Sequence, residues 1–115
     1  MDLNQYEHEE NIDTVLGDDI YFKGILKFKK SLKIKGKMDG NIEDSGVLVV
    51  GEHARVTGNI NANDVMIEGT HTGNITAKHS IEINKHARLK GDLKAPDLRI
   101  HSGSVFNGKC EMETL

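Results

Sequence analysis

Six histidines (His8, His53, His71, His79, His86, His101) and a single cysteine, Cys110, are the side chains of this sequence best suited to metal ligation or nucleophilic attack. Zinc sites gather nitrogen and sulfur ligands at short recurrent spacings such as His-x-His, His-Glu-x-x-His or Cys-x-x-Cys. None of these spacings occurs. His53 and His86 open similar His-Ala-Arg segments, yet they stand 33 residues apart. No Ser-His-Asp arrangement, phosphate-binding loop or acidic pair is identifiable, and no base is assigned to activate Cys110, which reads as a small apolar core residue. The expectation is a chain with no catalytic residue, no metal and no cofactor. A lone cysteine also rules out a disulfide framework within one chain and suits a reducing cytosol.

Charge is unevenly laid out. Residues 1–20 carry seven acids and no Lys or Arg, whereas residues 21–37 carry seven lysines and no acid. Five of these lysines, Lys27, Lys29, Lys30, Lys33 and Lys35, form a candidate patch for anionic lipid or a protein partner. The competing reading is a solvated strand face screened by the acidic tail. Nucleic acid is not an expected partner, since no recognised reading element accompanies the lysines. The longest apolar run, Val47-Leu48-Val49-Val50, is far short of the roughly 20 residues of a spanning helix. The acidic N-terminus is unlike a signal peptide, and Met1, Leu3 and Tyr6 offer a bilayer only a weak foothold.

The organisation that must position these residues is a repeat. Apolar-x-Gly-Asn/Asp-apolar occurs at Met38–Ile42, Val56–Ile60 and Leu89–Leu93, and His71–Ile75 fits except at its first place. Looser copies stand at Phe22–Leu26 and Phe106–Cys110. The glycines fall at 24, 40, 58, 73, 91 and 108, in steps of 15 to 18 residues. An interleaved series of apolar-x-apolar triplets ends at Ile34, Val50, Ile67, Ile83 and Ile100, in steps of 16 or 17. Two independent series with one period mark a solenoid.

Within each triplet the alternation has the two-residue period of a half-buried strand, and β-branched residues dominate the inward places. A unit of about 17 residues without a helical pattern suits one turn of three short strands, paired to the next turn. The expected fold is therefore all-β: a parallel β-helix of about six three-faced turns. Ile42, Ile60, Ile75 and Leu93 should form one internal ladder, and Val50, Ile67, Ile83 and Ile100 another. Glycine supplies corner conformations closed to other residues. Asn41, Asn59 and Asn74, continued by Asp92, should stack at one corner and bond its backbone. Residues 1–15 read as a flexible acidic tail, 16–110 as the β-helix domain and 111–115 as a short C-terminal tail. His71, where neighbouring repeats place Val56 and Leu89, is expected to be half-buried and hydrogen-bonded.

Such a rod leaves unpaired backbone groups above an apolar core at each end. All three phenylalanines fall in the end turns: Phe22 and Phe28 in the first, Phe106 in the last. They plug a monomer's core or dock onto another rod, and the two roles are compatible. Candidate self-association residues are Phe22, Phe28, Val105 and Phe106.

The ordered stretches Thr14–Gly17, Phe22–Gly24, Ile34–Gly36, Met38–Ile42, Leu48–Glu52, Val65–Gly69, Gly73–Ala77, Ala95–Ile100 and Gly103–Cys110 resemble a bactofilin domain over residues 14–110. The resemblance implies a right-handed β-helix that polymerises without nucleotide into non-polar filaments. It implies a cytoplasmic scaffold, in some members held at the inner face of the cell membrane, that localises cell-wall or cell-shape machinery. It also implies that an apolar residue of the last turn matters for assembly, which falls on Val105-Phe106. The alternative function is a β-helix enzyme of the acyltransferase or zinc hydratase type. A hexapeptide acyltransferase would hold strict 18-residue turns, and the steps of 15 to 18 break that register.

Overall fold

A computed structural model describes residues 14–44 and 46–112. Every strand pairing in them is parallel, and the strands wind into one continuous sheet. Six turns of three faces account for all fourteen strands. The first face is built from β1 (Thr14–Leu16), β3 (Leu32–Ile34), β5 (Val47–Val50), the second halves of β7 (Ile60–Ile67) and β9 (Ile75–Ile83), and β12 (Asp97–Ile100). The second face takes the first halves of β2 (Tyr21–Phe28) and β4 (Lys37–Asp44), then β6 (Arg55–Thr57), β8 (Thr70–Thr72), β10 (Arg88–Lys90) and β13 (Val105–Asn107). The third face takes the remaining halves of β2, β4, β7 and β9, then β11 (Leu93–Ala95) and β14 (Cys110–Met112). The expected all-β parallel solenoid of six three-faced turns is thus the observed fold. Its strands run from Thr14 to Met112, two residues beyond the 16–110 span at each end. Residues 1–13 and 113–115 of the expected tails lie outside the described residues.

Alternation along each strand sends one set of side chains inward, where pairing in register stacks like on like. Leu26, Ile42, Ile60, Ile75, Leu93 and Cys110 form one ladder. Leu16, Ile34, Val50, Ile67, Ile83 and Ile100 form a second. A third runs Phe22, Met38, Val56, His71, Leu89, Phe106. The middle members of all three are buried and form a single core.

Corners follow from the Gly-Asn pairs. Gly24, Gly40, Gly58, Gly73, Gly91 and Gly108 all have φ between 129° and 154°, a region L side chains seldom occupy. Stacking tightens the demand, since a Cβ on Gly58 would collide with the carbonyl oxygen of Gly40 one turn above. Beside this column the Asn41 side-chain oxygen accepts the Asn59 N–H at 3.2 Å, and Asn59 accepts the Asn74 N–H at 3.3 Å. Asn74 and Asp92 continue the line by accepting from the Asp92 and Lys109 N–H groups, each at 3.2 Å. The ladder therefore satisfies corner amides that no strand partner reaches.

Candidate self-assembly site

A solenoid has two surfaces where its construction stops, and here both are chemically unfinished. Among the described residues, β1 and β2 of the first turn pair only downward, to β3 and β4. In the last turn β12, β13 and β14 pair only upward, to β9, β10 and β11. Each end thus offers strand edges with unmet donors and acceptors, a template for further parallel or antiparallel pairing.

The apolar surface is concentrated at the same places. Among the described residues, the exposed large apolar side chains are Ile20, Tyr21 and Ile25 in the first turn and Ile100, Val105 and Met112 in the last. None lies in the four turns between. Ile100 shows why: it continues the ladder of Ile67 and Ile83, which are 0% exposed, yet stands 49% exposed because no turn lies below it.

Phe22 and Phe28 at the first end, and Phe106 at the last, are partly buried and pack against the core. Val105 precedes Phe106 on β13 and points the other way, out to solvent at 56% exposure. Ile20, Tyr21, Ile25, Ile100 and Met112 were not among the sequence-based candidates. The signal for Ile25 was present: it takes the place of the corner asparagine, pairing with Asn41.

Cys110 corrects an expectation. It occupies an inward ladder position, but as the ladder's last member it is exposed rather than a core residue. What cover it has pushes its thiol pKa up, away from the thiolate a nucleophile needs. His71 corrects another. It is fully buried, not half-buried, and neither ring nitrogen has a hydrogen-bond partner. Burial pushes its pKa down to about 4, against an upward pull from the nearby Gly73 backbone.

The candidate lysines divide between faces. Lys27 is exposed on the third face, 3.9 Å from Glu43, and Lys29 and Lys30 turn the corner after β2. Together with Phe28 and Lys78 they line an open groove of about 800 Å³. Lys33 and Lys35 lie beyond that corner and are half-buried, so the five do not form one plane.

One Ser, His and Asp do meet. Asp64 is buried on β7, accepting the Ser80 hydroxyl at 2.7 Å and lying 3.6 Å from His79. The carboxylate stands between hydroxyl and imidazole, so the histidine is not placed to take the serine proton as an acyl-transfer triad requires. These residues flank the irregularity where β9 carries one more residue than β7 between Ala62/Ala77 and Asp64/Ser80. At that bulge the Asn63 and Asp64 N–H groups both reach the Gly46 carbonyl, at 3.2 and 3.3 Å. Among the described residues no cluster of three or more His, Cys, Asp or Glu side chains could hold a metal ion, and no helix is long and apolar enough to cross a membrane.

Comparison with known proteins bears on this geometry. The family model for bactofilins, described as polymer-forming cytoskeletal, matches residues 14–111. Among solved structures, the chain is similar to a bactofilin of Thermus thermophilus seen by cryo-EM in double helical filaments. The two share 34% identity with a TM-score of 0.82, over 87% of this chain and 99% of that one. No curated protein matches.

Proposed function

The chain belongs to the bactofilin family of polymer-forming cytoskeletal proteins, and on that premise we propose that it assembles end to end, without nucleotide, into homopolymeric filaments. The observation that carries this reading is that, among the described residues, exposed large apolar side chains are confined to the two end turns, beside strand edges with no partner strand. Docking one rod on another removes apolar area from water and completes ladders that otherwise stop at Ile100, Phe106 and Cys110. Parallel ladders need no bound cofactor to hold them, so assembly runs on burial and backbone pairing alone.

The finer part of the reading is cellular. Filaments of this kind act as a cytoplasmic scaffold that positions cell-shape or cell-wall machinery, with like ends meeting so that the polymer has no direction. Its role is structural rather than catalytic. Negative-stain electron microscopy of the purified, nucleotide-free protein tests the core of the proposal. Filaments of uniform width are expected. A particle that stays single at high protein concentration would overturn it.

A further inference from the structure

Asparagine loses its amide spontaneously when the backbone nitrogen of the next residue attacks it, and glycine in that next place offers no side chain to obstruct the attack. The sequence holds one Asn-Gly pair, Asn107-Gly108. It lies where β13 ends, in the last turn, and both residues are exposed. The other asparagines among the described residues are followed by Ile, Ala, Asp or Lys.

Stacking ties up the attacking nitrogen elsewhere. In the inner turns a corner-glycine N–H donates to the carbonyl that precedes the next corner glycine: Gly58 to Thr72 at 2.9 Å, Gly73 to Lys90 at 2.8 Å and Gly91 to Asn107 at 3.0 Å. Gly108 would need a seventh turn, and among the described residues its N–H meets no acceptor. Crowding at Gly108 comes from one side, since the three atoms nearest to the place of a Cβ all belong to Gly91 in the turn above. The Asn107 carbonyl meanwhile accepts the Gly91 N–H, which polarises the shared peptide group and makes the Gly108 N–H more acidic. The corner asparagines are guarded twice. The nitrogens that follow Asn41, Asn59 and Asn74 belong to Ile42, Ile60 and Ile75, and each donates to a carbonyl one turn below at 2.9 Å. Their side-chain oxygens are engaged as well, holding N–H groups of the next turn.

We propose that Asn107 is a site of spontaneous deamidation, reactive while the last turn is uncovered. The Gly108 nitrogen, once deprotonated, bonds to Cγ of Asn107, and the Cγ–Nδ2 bond breaks to release ammonia. Water then opens the five-membered imide. Attack at Cγ leaves aspartate. Attack at the backbone carbonyl leaves isoaspartate, whose main chain runs through Cβ and Cγ. The net change is amide plus water to carboxylate plus ammonium, with no oxidant or cofactor. Either product sets a negative charge beside Phe106, and the isoaspartyl form adds one atom to the backbone at a corner that must stack. A last turn so altered no longer seats a second rod. That consequence rests on the end-to-end reading, but the reaction does not.

Peptide mass spectrometry of the full chain, incubated in mildly alkaline buffer, reads conversion at each asparagine. The folded chain at high dilution is compared with the chain unfolded in urea and with the chain concentrated into filaments. In the dilute folded chain Asn107 should convert within several-fold of its unfolded rate, while Asn41, Asn59 and Asn74 stay intact. An Asn107 that survives in the folded chain but converts in urea would overturn the proposal. So would equal conversion at the corner asparagines. In filaments conversion should be several-fold slower than at high dilution, and an equal rate would show that assembly leaves the corner uncovered and overturn the link to it. Conversion at Asn107 in a protein that forms no filaments would support the site and count against the end-to-end reading alone. Asn107→Gln keeps an amide but cyclises far more slowly, through a six-membered ring. After the same incubation the parent should have lost filament-forming capacity and this variant kept it; equal loss in both would overturn the effect on assembly.

Discussion

Phe22 and Phe106 stand at opposite ends of one inward ladder, Phe22 paired to Met38 and Phe106 to Leu89, with Val56 and His71 between them. Aromatic rings thus terminate the same column at both tips, each only partly buried. The rod ends are built alike in this column and differ elsewhere: Ile20, Tyr21 and Ile25 surround one, Ile100, Val105 and Met112 the other.

Replacing Phe106 by Arg puts a charge where the next rod would seat. The ring is only partly buried, so the fold should lose about 1–2 kcal/mol and keep its β-sheet circular dichroism. Sedimentation should shift from filaments to small oligomers. Filaments of unchanged length would remove Phe106 from the junction.

Much of this was readable before any coordinates, because a solenoid repeats its chemistry every turn. Gly-Asn corners and apolar triplets are local signals, and stacking in register converts them directly into ladders. The same logic fails where a turn lacks a neighbour. Cys110 has the pattern of a core residue and is exposed only because the ladder ends there. Its environment is set by what lies beyond the last turn, which no repeat encodes. His71 failed differently. Its position was right, but whether a partner met the ring depended on neighbours across the core. The lysine run looked like one strand face because the corner at Lys29-Lys30 carries no glycine to mark it.

The glycine column gives a graded test. At Gly58 an alanine faces both a φ of 129° and a collision with the Gly40 carbonyl. Gly24→Ala meets a similar φ, 136°, but its nearest neighbour is a Phe22 ring carbon at 4.0 Å, since no turn lies above. Gly24→Ala should cost about 1–3 kcal/mol, the strain alone, and Gly58→Ala upwards of about 3 kcal/mol. Urea unfolding of both variants in a Phe106→Arg background checks the order. Equal losses would mean the close stacking adds nothing to the conformational demand.

His71 makes stability depend on pH in a predictable direction. Its folded pKa of about 4 lies below the ordinary 6.5, so between these values the unfolded chain binds more protons than the folded one. Stability is therefore full above about pH 6.5 and falls as pH drops toward 4, by about 3 kcal/mol from this group. His71→Leu puts an apolar side chain between Val56 and Leu89 and removes two unpartnered nitrogens. It should stabilise the fold by about 1–2 kcal/mol at neutral pH and flatten the curve between pH 4 and 6.5. A variant with the same acid slope as the parent would show that other groups govern acid unfolding.

Cys110 decides how rods meet. It is the single cysteine of the chain and is exposed in the last turn. Were two last turns to face each other across a junction, every such junction would hold a pair of thiols and the first-turn junctions none. A short bismaleimide added to assembled protein should then join chains into covalent dimers and nothing longer, because each chain has only one thiol to spend. Head-to-tail assembly would set Cys110 against a first turn that contains no cysteine, leaving the chains unlinked. The Phe106→Arg variant separates specific junctions from chance collisions: at equal concentration its dimer yield should drop several-fold. Dimers formed equally well in both proteins would come from random encounter, and unlinked chains in intact filaments would give the polymer a direction.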